Sequence, residues 1–464
     1  MKNYAHLFLK KFVVLLLAAL ITSCADDDAP SPENAGANLD EFLGEIDYIK
    51  TFGGSQNDNI VSVVQANDGG YVLMGSTEST DGDITGKSSS DVDFWLLKTG
   101  PLGNIIFNKV YGGSKTDIAS SLIKTKDGGF IVCGYSASDD GDVSGNEGFQ
   151  DYWITKLDAQ GNITWEKNYG FSGIDQALKI IETTNGNFFT TGFFDVSASE
   201  NQGNDDGKTT NPGVNLSKNT LHGVGEFWGI LMDSNGNRIW RRYFGGSNND
   251  RSYDVAEAQD GGFFMVGSSE SSDFDVTDNK GSYDFWVVRV AANGDKLWTK
   301  SFGGSEIDQG YGITKTPDGN YIMVGDTRST NGDVTSLNGN ADAWVIKFDP
   351  DGGLIWEKTY GGAAFDSAKR ITALENGDFA IAGNTRSSMG SFVNKGQNDA
   401  WVFIIDANGV LKFNYIVGGA NLDFANDVVQ TQDNKLLVVG SSESNDVDIP
   451  ENKGKQDALL IKIK

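Results

Sequence analysis

Side chains that usually carry out enzyme chemistry are scarce in this chain. It contains two histidines, His6 and His222, and two cysteines, Cys24 and Cys133. Zinc is held by Cys, His and carboxylate ligands, so this inventory provides no zinc cluster without carboxylates. The sequence has no Gly-x-Ser-x-Gly motif, which exposes the nucleophile of many Ser-His-Asp hydrolases. The 64 Asp and Glu residues are so numerous that spacing singles out no pair for glycoside hydrolysis.

One carboxylate recurs at a fixed spacing. The motif Gly-Gly-x3-Asp, preceded by aromatic residues, returns seven times in nearly the same form, and its first glycines are 57 to 75 residues apart. The aspartates of this motif are Asp58, Asp117, Asp175, Asp250, Asp308, Asp366 and Asp423. A residue that every repeat requires is expected to serve every repeat, so we interpret these aspartates as structural acceptors for backbone N–H groups. The alternative is a functional ring of carboxylates.

A second acidic pattern lies in the polar loop of several repeats. Asp81 and Asp83 flank a glycine, and Asp140 and Asp142 do the same in the next repeat. Calcium takes six to eight oxygen ligands, so two carboxylates are too few on their own. Hydrogen-bonded turns of solvated aspartates are the favoured interpretation, with a calcium site as the alternative, and no other metal or cofactor is expected.

Basic and aromatic side chains are concentrated in the fourth to sixth repeats. The candidates for ligand binding are Arg251, Tyr253, Tyr311, Arg328, Lys369, Arg370 and Arg386. Guanidinium groups bind carboxylates and sulfates through paired hydrogen bonds, and a Tyr ring offers an apolar face with a polar end. This sector predicts a site for an acidic sugar. Ordinary pairing between repeats, such as Arg370 with Asp427, is the alternative.

The repeat itself predicts the elements that position these groups. Periods in this range are typical of propellers and solenoids. Within each repeat, Asp-Gly or Asn-Gly turns separate β-rich runs, and an acid-x-Trp pattern marks the third run. Each repeat therefore predicts four short antiparallel strands, a to d, which is the composition of a propeller blade. An all-β, seven-bladed β-propeller over residues 45–464 is the predicted fold.

The two ends of the repeat region complement each other. The last repeat stops after its third strand, while residues 48–54 match residues 356–362 at the end of a complete repeat. We predict that this N-terminal strand completes the last blade in a 3+1 arrangement, which leaves no unpaired edge. The third repeat alone has about 17 extra residues, between 195 and 225 and including His222. They either cover the channel mouth or form a tolerated surface insertion.

The N-terminus differs in composition from the repeats. Its apolar run, residues 12–21, is too short to span a bilayer and is typical of a signal peptide. The run ends in Leu-Ile-Thr-Ser-Cys24, which resembles a bacterial lipobox, whose cysteine is acylated with chains such as palmitate. We predict a signal peptide over residues 1–23 and a lipidated Cys24 with a flexible acidic tether over residues 24–44.

The resemblance extends to a family. Over residues 46–464 the chain resembles the seven-bladed β-propeller repeat lipoproteins of Bacteroidota, and the acidic residues after Cys24 resemble their export signal. This resemblance implies a lipid anchor in the outer membrane, facing the cell exterior.

Charge and resemblance together limit the function. The net charge of −27 disfavours nucleic acid, which is bound through Lys and Arg. The predicted function is that of a monomeric, non-catalytic cell-surface lipoprotein whose propeller face binds a glycan, most favourably an anionic polysaccharide, or an envelope protein. The alternatives are a lyase or hydrolase acting on polysaccharide at the channel mouth, and a purely structural scaffold.

Overall fold

The chain folds as a ring of β-sheets. A computed structural model describes residues 42–199, 202–205 and 222–464, and in these ranges it consists of 28 strands with no helix. The strands form seven four-stranded antiparallel sheets, each of which is one blade. The predicted all-β, seven-bladed β-propeller is therefore confirmed. Across the same ranges, no helix has the length and hydropathy that crossing a bilayer requires.

The blades are numbered in chain order, and their strands are given in the order a to d. Blades 1 and 2 comprise β2 (Asp58–Gln65), β3 (Tyr71–Thr77), β4 (Asp93–Thr99) and β5 (Ile105–Tyr111), then β6 (Asp117–Lys124), β7 (Phe130–Ser136), β8 (Asp151–Leu157) and β9 (Ile163–Tyr169). Blades 3 and 4 comprise β10 (Gln176–Glu182), β11 (Phe188–Asp195), β12 (Val224–Met232) and β13 (Arg238–Phe244), then β14 (Asp250–Glu257), β15 (Phe263–Ser269), β16 (Asp284–Val290) and β17 (Lys296–Phe302). Blades 5 and 6 comprise β18 (Asp308–Lys315), β19 (Tyr321–Thr327), β20 (Asp342–Phe348) and β21 (Leu354–Tyr360), then β22 (Asp366–Ala373), β23 (Phe379–Thr385), β24 (Asp399–Ile405) and β25 (Leu411–Val417). Blade 7 comprises β26 (Asp423–Gln430), β27 (Leu436–Ser442), β28 (Asp457–Ile463) and, from the N-terminal side, β1 (Ile46–Phe52).

The last blade is closed by the first strand, as the sequence predicts. β1 pairs antiparallel with β28, so that Lys50 lies opposite Leu460. The preceding segment joins the same blade, because the Leu43 N–H donates to the Lys464 carbonyl over 3.1 Å. This closure gives the outer edge of β28 a hydrogen-bonding partner, so that the last blade has four strands like the others.

The core lies between the blades. Strands b and c are covered on both faces by neighbouring blades, which is why their sequences are apolar throughout, as in Phe94-Trp95-Leu96-Leu97. Adjacent blades meet through aromatic pairs, and the Phe94 ring lies 4.5 Å from the Trp153 ring between their centroids. The fully buried tryptophans of strand c are Trp95, Trp153, Trp228, Trp286, Trp344 and Trp401.

Every innermost strand contains a β-bulge at the same position. The residue eight positions after the first motif glycine is left out of the pairing between strands a and b in all seven blades. These residues, called here the bulge row, are Val61, Ser120, Leu178, Tyr253, Tyr311, Lys369 and Asn426. A bulge re-aims its side chain, and here it directs one residue per blade toward the propeller axis.

Candidate functional site

All seven bulge-row residues line one axial cavity of about 430 Å³. The cavity opens on the loop face, defined here as the face that carries the d–a and b–c connections, because its outer lining includes Arg386 from a b–c loop. Its wall is uneven. Blades 1 to 3 contribute Val61, Ser120 and Leu178, whereas the rest of the row brings aromatic, cationic and amide groups. A ligand in the cavity therefore meets one apolar and one polar side.

The polar side is built around two tyrosines and a lysine. The rings of Tyr253 and Tyr311 are 5.2 Å apart and nearly perpendicular, and the Tyr311 hydroxyl donates to Gln309 Oε1 over 2.9 Å. The Lys369 Nζ lies 3.4 Å from the centre of the Tyr311 ring. Burial lowers the pKa of Lys369 to about 8, although the nearby Asp326 carboxylate acts in the opposite direction. Lys369 is therefore a mostly protonated amine at neutral pH, held on an aromatic face.

Three exposed arginines surround this part of the mouth. Arg386 lies 5.8 Å from the Phe365 ring, Arg251 lies 4.6 Å from the Phe193 ring, and Arg328 follows β19. Among the described residues, none of the three has a carboxylate within ion-pair distance. The chain has only eight arginines, and four of the others are ion-paired. The mouth is thus a local concentration of unneutralised guanidinium groups on an acidic protein.

Four charged side chains lie one layer below the bulge row, each from the residue that follows a bulge. Lys179 Nζ lies 3.7 Å from Asp254 Oδ1, and Arg370 Nη1 lies 3.9 Å from Asp254 Oδ2. Arg370 also donates to the Tyr311 carbonyl over 2.9 Å. Asp427 accepts from Ser62 Oγ over 3.1 Å, and burial raises its pKa while Lys179 and Arg370 counteract that rise. These four residues are called here the floor quartet, and of them Arg370 also lines the cavity.

The structure brings the basic and aromatic candidates into one sector. Tyr253, Tyr311, Lys369, Arg370 and Arg386 line the cavity. The remaining two stand beside it, because the Arg251 charge acts on Tyr253 and the Arg328 charge acts on Asp326 and Tyr311. Arg370 differs from the others because its guanidinium is engaged in the floor quartet, and its partner at ion-pair distance is Asp254 rather than the Asp427 considered from the sequence.

Sequence reasoning missed Lys179 and Asp254 of the floor quartet, and the amides Asn384 and Asn398 at the mouth, where Asn384 Nδ2 donates to Asn398 Oδ1 over 3.0 Å. The signal that could have identified these residues is variation between the repeats. The bulge row and the row after it change character from blade to blade, while the structural rows do not.

The seven repeated aspartates are buried hydrogen-bond acceptors. In blade 5, Asp308 Oδ2 accepts from the Gly304 N–H over 2.7 Å and from Ser329 Oγ over 2.8 Å, while Oδ1 accepts from Thr327 Oγ1. One carboxylate therefore ties the d–a loop to the end of strand b. Blade 3 lacks both hydroxyl donors, and there burial raises the pKa of Asp175 to about 8.

The loop aspartates considered for calcium also bind backbone groups. Asp81 Oδ1 accepts from the Ser55 N–H and Asp140 Oδ1 from the Ser114 N–H, both over 2.7 Å. Asp83 Oδ2 accepts from the Gly53 N–H over 3.0 Å, and Asp142 Oδ2 from the Gly112 N–H over 3.2 Å. In the described ranges, no group of three or more His, Cys, Asp or Glu side chains has the geometry of a metal site. Calcium binding stays a prediction without a ligand cluster to support it.

The described part of the blade 3 insertion lies at the outer edge of that blade. Asn204 Oδ1 accepts from the Tyr243 N–H of β13 over 2.9 Å, and Asp205 lies 3.3 Å from both Arg238 and Arg241. His222, at the other end, is buried and stacks on Phe274 of blade 4 at 4.5 Å. Residues 200–201 and 206–221 lie outside the described residues, so whether the insertion covers the mouth stays a prediction.

The two cysteines differ in what the structure describes. Cys133 is fully buried in β7, and burial raises the pKa of its thiol to about 12. It is therefore an unreactive part of the core. The predicted lipidation site Cys24, the predicted signal peptide over residues 1–23 and nearly all of the predicted tether lie outside the described residues.

Comparisons with known proteins give distant similarities. No family model matches the chain. Over 182 residues the chain is 24% identical to the regulatory protein FlaEY of Caulobacter vibrioides, an alignment that covers 36% of this chain and 19% of that protein. The chain thus spans about a fifth of the length of this curated relative.

Solved structures with similar folds have low identity. Sqt1 from Chaetomium thermophilum is 10% identical, with a TM-score of 0.44, over 91% of this chain and 99% of that one. The extracellular domain of a hybrid two-component system protein from B. thetaiotaomicron is also 10% identical, with a TM-score of 0.44, over 90% of this chain and 42% of that one. None of these similarities assigns an activity to the chain.

Proposed function

We propose that the protein is a non-catalytic binding module whose axial cavity and its rim hold an acidic saccharide, such as a segment of a uronic or sulfated polysaccharide. The observation that carries this proposal is the combination of three exposed, unneutralised arginines with an aromatic-bound lysine at one cavity mouth. The protein has a net charge of −27, so an anionic ligand is repelled by most of its surface and attracted to this sector.

The chemistry of the sector fits such a ligand. Guanidinium groups form paired, charge-assisted hydrogen bonds with carboxylates and sulfates. The Tyr253 and Tyr311 rings offer apolar faces beside hydroxyl groups, which matches the alternation of C–H and O–H groups on a sugar. The volume of about 430 Å³ lies in the range of small-ligand pockets, which is enough for a short oligosaccharide segment rather than a protein domain.

The position of the N-terminal segment supports presentation of this site at a cell surface. Phe42 packs on Phe413 with ring centroids 5.2 Å apart, and residues 43–45 hydrogen-bond Lys464 at the end of β28. Both contacts lie on the hairpin face, the face opposite the cavity mouth. If Cys24 carries lipid, as its lipobox-like context predicts, the tether joins the propeller on the face opposite the cavity mouth.

The test is a binding screen of residues 42–464, which form one compact unit, against neutral, uronic and sulfated polysaccharides, with and without calcium. Saturable binding restricted to the acidic polymers is expected. The variant Arg328→Ala/Lys369→Ala/Arg386→Ala should bind at least about 100-fold more weakly, because each charged hydrogen bond contributes about 1.5–3 kcal/mol.

The matched control is Lys315→Ala/Lys358→Ala/Lys455→Ala, which removes the same charge from exposed positions outside the cavity lining. Equal weakening of binding by both triple variants would show that the effect comes from the overall charge of the protein and not from the cavity. If the triple cavity variant binds every polymer like the native protein, the cavity is not the binding site. If shortened or unsaturated products appear during the screen, the protein is a hydrolase or lyase that acts at the same mouth, and the binding-module proposal is wrong.

A further inference from the structure

Each third strand begins with a buried acid that has an unpaired oxygen. These acids stand two residues before the strand-c tryptophan or, in blade 7, before Leu459, and all are at most 5% exposed. In each of them one carboxylate oxygen has no hydrogen-bond partner in the described structure. They are Asp93, Asp151, Glu226, Asp284, Asp342, Asp399 and Asp457. A buried acceptor without a donor costs about 1–3 kcal/mol, and a cost that recurs at every blade needs a common explanation.

The unpaired oxygen and the motif aspartate of the next blade lie against the same residue, the first motif glycine, which has no Cβ atom to separate them. A Cβ atom on Gly361 would lie 2.8 Å from Asp342 Oδ1 and 2.6 Å from Asp366 Oδ2. At Gly53 the corresponding values are 2.6 Å to Asp457 Oδ1 and 2.8 Å to Asp58 Oδ2. The same pair of carboxylates flanks the glycine at six of the seven junctions, and at Gly170 only Asp151 is among the nearest atoms.

The second oxygen of each strand-c acid is already satisfied. The Asn338 N–H donates to Asp342 Oδ2 over 2.6 Å, and the Lys453 N–H donates to Asp457 Oδ2 over 2.9 Å. On the other side, Asp366 Oδ2 accepts from the Gly362 N–H and from Ser387 Oγ, both over 2.7 Å. The motif aspartate therefore collects the donors, while its neighbour has an oxygen with nothing to accept.

We propose that the strand-c acids of blades 3 to 7 are protonated in the folded protein, and that each of these blade junctions is closed by a carboxylic acid hydrogen-bonded to the aspartate of the next blade. Asp93 is excluded because its second oxygen is ion-paired with Lys87, and Asp151 is excluded because Asp175 is not among the atoms nearest to the same glycine. The added proton turns the unpaired oxygen into an O–H donor directed at a carboxylate, which is among the stronger hydrogen bonds in proteins. It also removes the repulsion between two buried like charges. The propeller would thus take up as many as five protons when it folds.

Electrostatics support this assignment. Burial is the largest cause that raises the pKa of Asp342 to about 6, and the charge of Asp366 raises it further. Burial likewise raises the pKa of Asp284 to about 7, and that of Glu226 well above its usual range. The Asp342/Asp366 junction is the simplest, because no other charge acts appreciably on Asp342.

The remaining junctions contain additional groups. The charged or titratable neighbours are Lys87 and Asp91 at the Asp93/Asp117 junction, and Glu147 and Asp195 at the Asp151/Asp175 junction. They are His222, Asp273 and Asp275 at the Glu226/Asp250 junction, and Lys280, Asp333 and Asp326 at the Asp284/Asp308 junction. They are Lys395, Asp446 and Asp448 at the Asp399/Asp423 junction, and Lys453 and Asp83 at the Asp457/Asp58 junction.

The consequence is a stability that falls as pH rises. A carboxyl group whose folded pKa lies above its unfolded value near 3.9 stabilises the fold at low pH, and this contribution is lost as pH rises through the folded pKa. Carboxylates with lowered pKa act in the opposite direction, but they titrate at lower pH. Asp127 is an example, since the Lys156 hydrogen bonds outweigh burial and lower its pKa to about 2. The interval from about pH 5 to pH 7 therefore contains the junction protons and lies below the titration of Lys369, whose pKa burial lowers to about 8.

The test measures urea unfolding of the native protein and of Asp342→Asn between about pH 5 and pH 7. The native midpoint should fall across this interval. The amide of Asp342→Asn supplies a permanent donor to Asp366, so the variant should lose one proton from the pH dependence. Its unfolding constant should change up to tenfold less per pH unit below about pH 6 than that of the native protein. Asp351→Asn, at an exposed hairpin of the same blade, should leave the dependence unchanged.

Proton uptake provides a measurement that needs no variant. Unfolding the native protein in weak buffer near pH 6 should release protons to the solution. A native midpoint that is constant from pH 5 to pH 7, or unfolding without proton release, would overturn the proposal and indicate two ionised carboxylates bridged by water. Parallel pH profiles of the native protein and a folded Asp342→Asn would overturn it as well.

Discussion

Lys179 Nζ lies 3.7 Å from Asp254 Oδ1 below the axial cavity, and this contact joins the innermost strands of blades 3 and 4. Asp254 is the shared partner of two cations, since Arg370 from blade 6 approaches its other oxygen at 3.9 Å. The floor quartet is therefore an ion network that joins blades 3, 4 and 6, and its formal charges cancel.

The Asp254→Ala substitution should destabilise the protein, because it leaves Lys179 and Arg370 with Asp427 as their only acidic partner in the quartet. Breaking a buried pair costs about 3–5 kcal/mol. Both cations keep some solvent contact, so we expect a loss of about 2–3 kcal/mol in the free energy of unfolding. Urea unfolding measures it. The double variant Lys179→Met/Asp254→Leu should recover most of the loss, and an equal or larger loss in the double variant would contradict the pairing.

The Asp308→Ala substitution should cost more than removal of one of its donors. The substitution leaves the Gly304 N–H and the Ser329 and Thr327 hydroxyls without their acceptor. Each unsatisfied buried donor costs about 1–3 kcal/mol, so a loss of about 3 kcal/mol or more is expected. Ser329→Ala, the control, should lose only about 1 kcal/mol. Similar losses for the two variants in thermal or urea unfolding would show that the carboxylate is not the centre of this network.

Deletion of residues 1–52 should prevent a stable ring, because it removes β1 and leaves β28 with an unpaired edge. We expect a lower unfolding midpoint and aggregation, since open strand edges pair with other chains. Deletion of residues 1–41 is the control, because it keeps β1 and the Leu43 contact with Lys464. Static light scattering and urea unfolding distinguish the two proteins. Identical behaviour would mean that blade 7 is stable with three strands.

Binding of an acidic saccharide should weaken as pH rises through about 8. Burial lowers the pKa of Lys369 to about 8, and a lysine is charged below its pKa, so its attraction for an anion is lost above that value. The affinity of Lys369→Met should be lower at pH 7 and should show no step near pH 8. Titration calorimetry of the native protein and the variant checks both statements. A step that persists in Lys369→Met would assign the pH dependence to another group.

Repetition let the sequence predict the architecture. The motif aspartates, the Asp-Gly turns and the strand-c tryptophans return at a constant register, so seven blades and the 3+1 closure followed from local patterns alone. The same repetition separated scaffold from function, because rows such as Asp58 to Asp423 are constant while Tyr253, Tyr311 and Lys369 break the pattern. The basic and aromatic sector was predicted in this way, although its binding function awaits the screen.

Only the tertiary structure decided how the rows face one another. Whether Tyr311 points to the axis depends on a bulge in strand a, which leaves no mark in the residue types on either side. Asp254 and Arg370 are more than a hundred residues apart in the chain, and they meet because ring closure brings blades 4 and 6 to a common axis. The unpaired oxygen of Asp342 likewise depends on the path of Gly361 between two blades. Local sequence determines local hydrogen bonds and strand periodicity, whereas burial, charge pairing and proton affinity arise from residues that only the closed ring brings together.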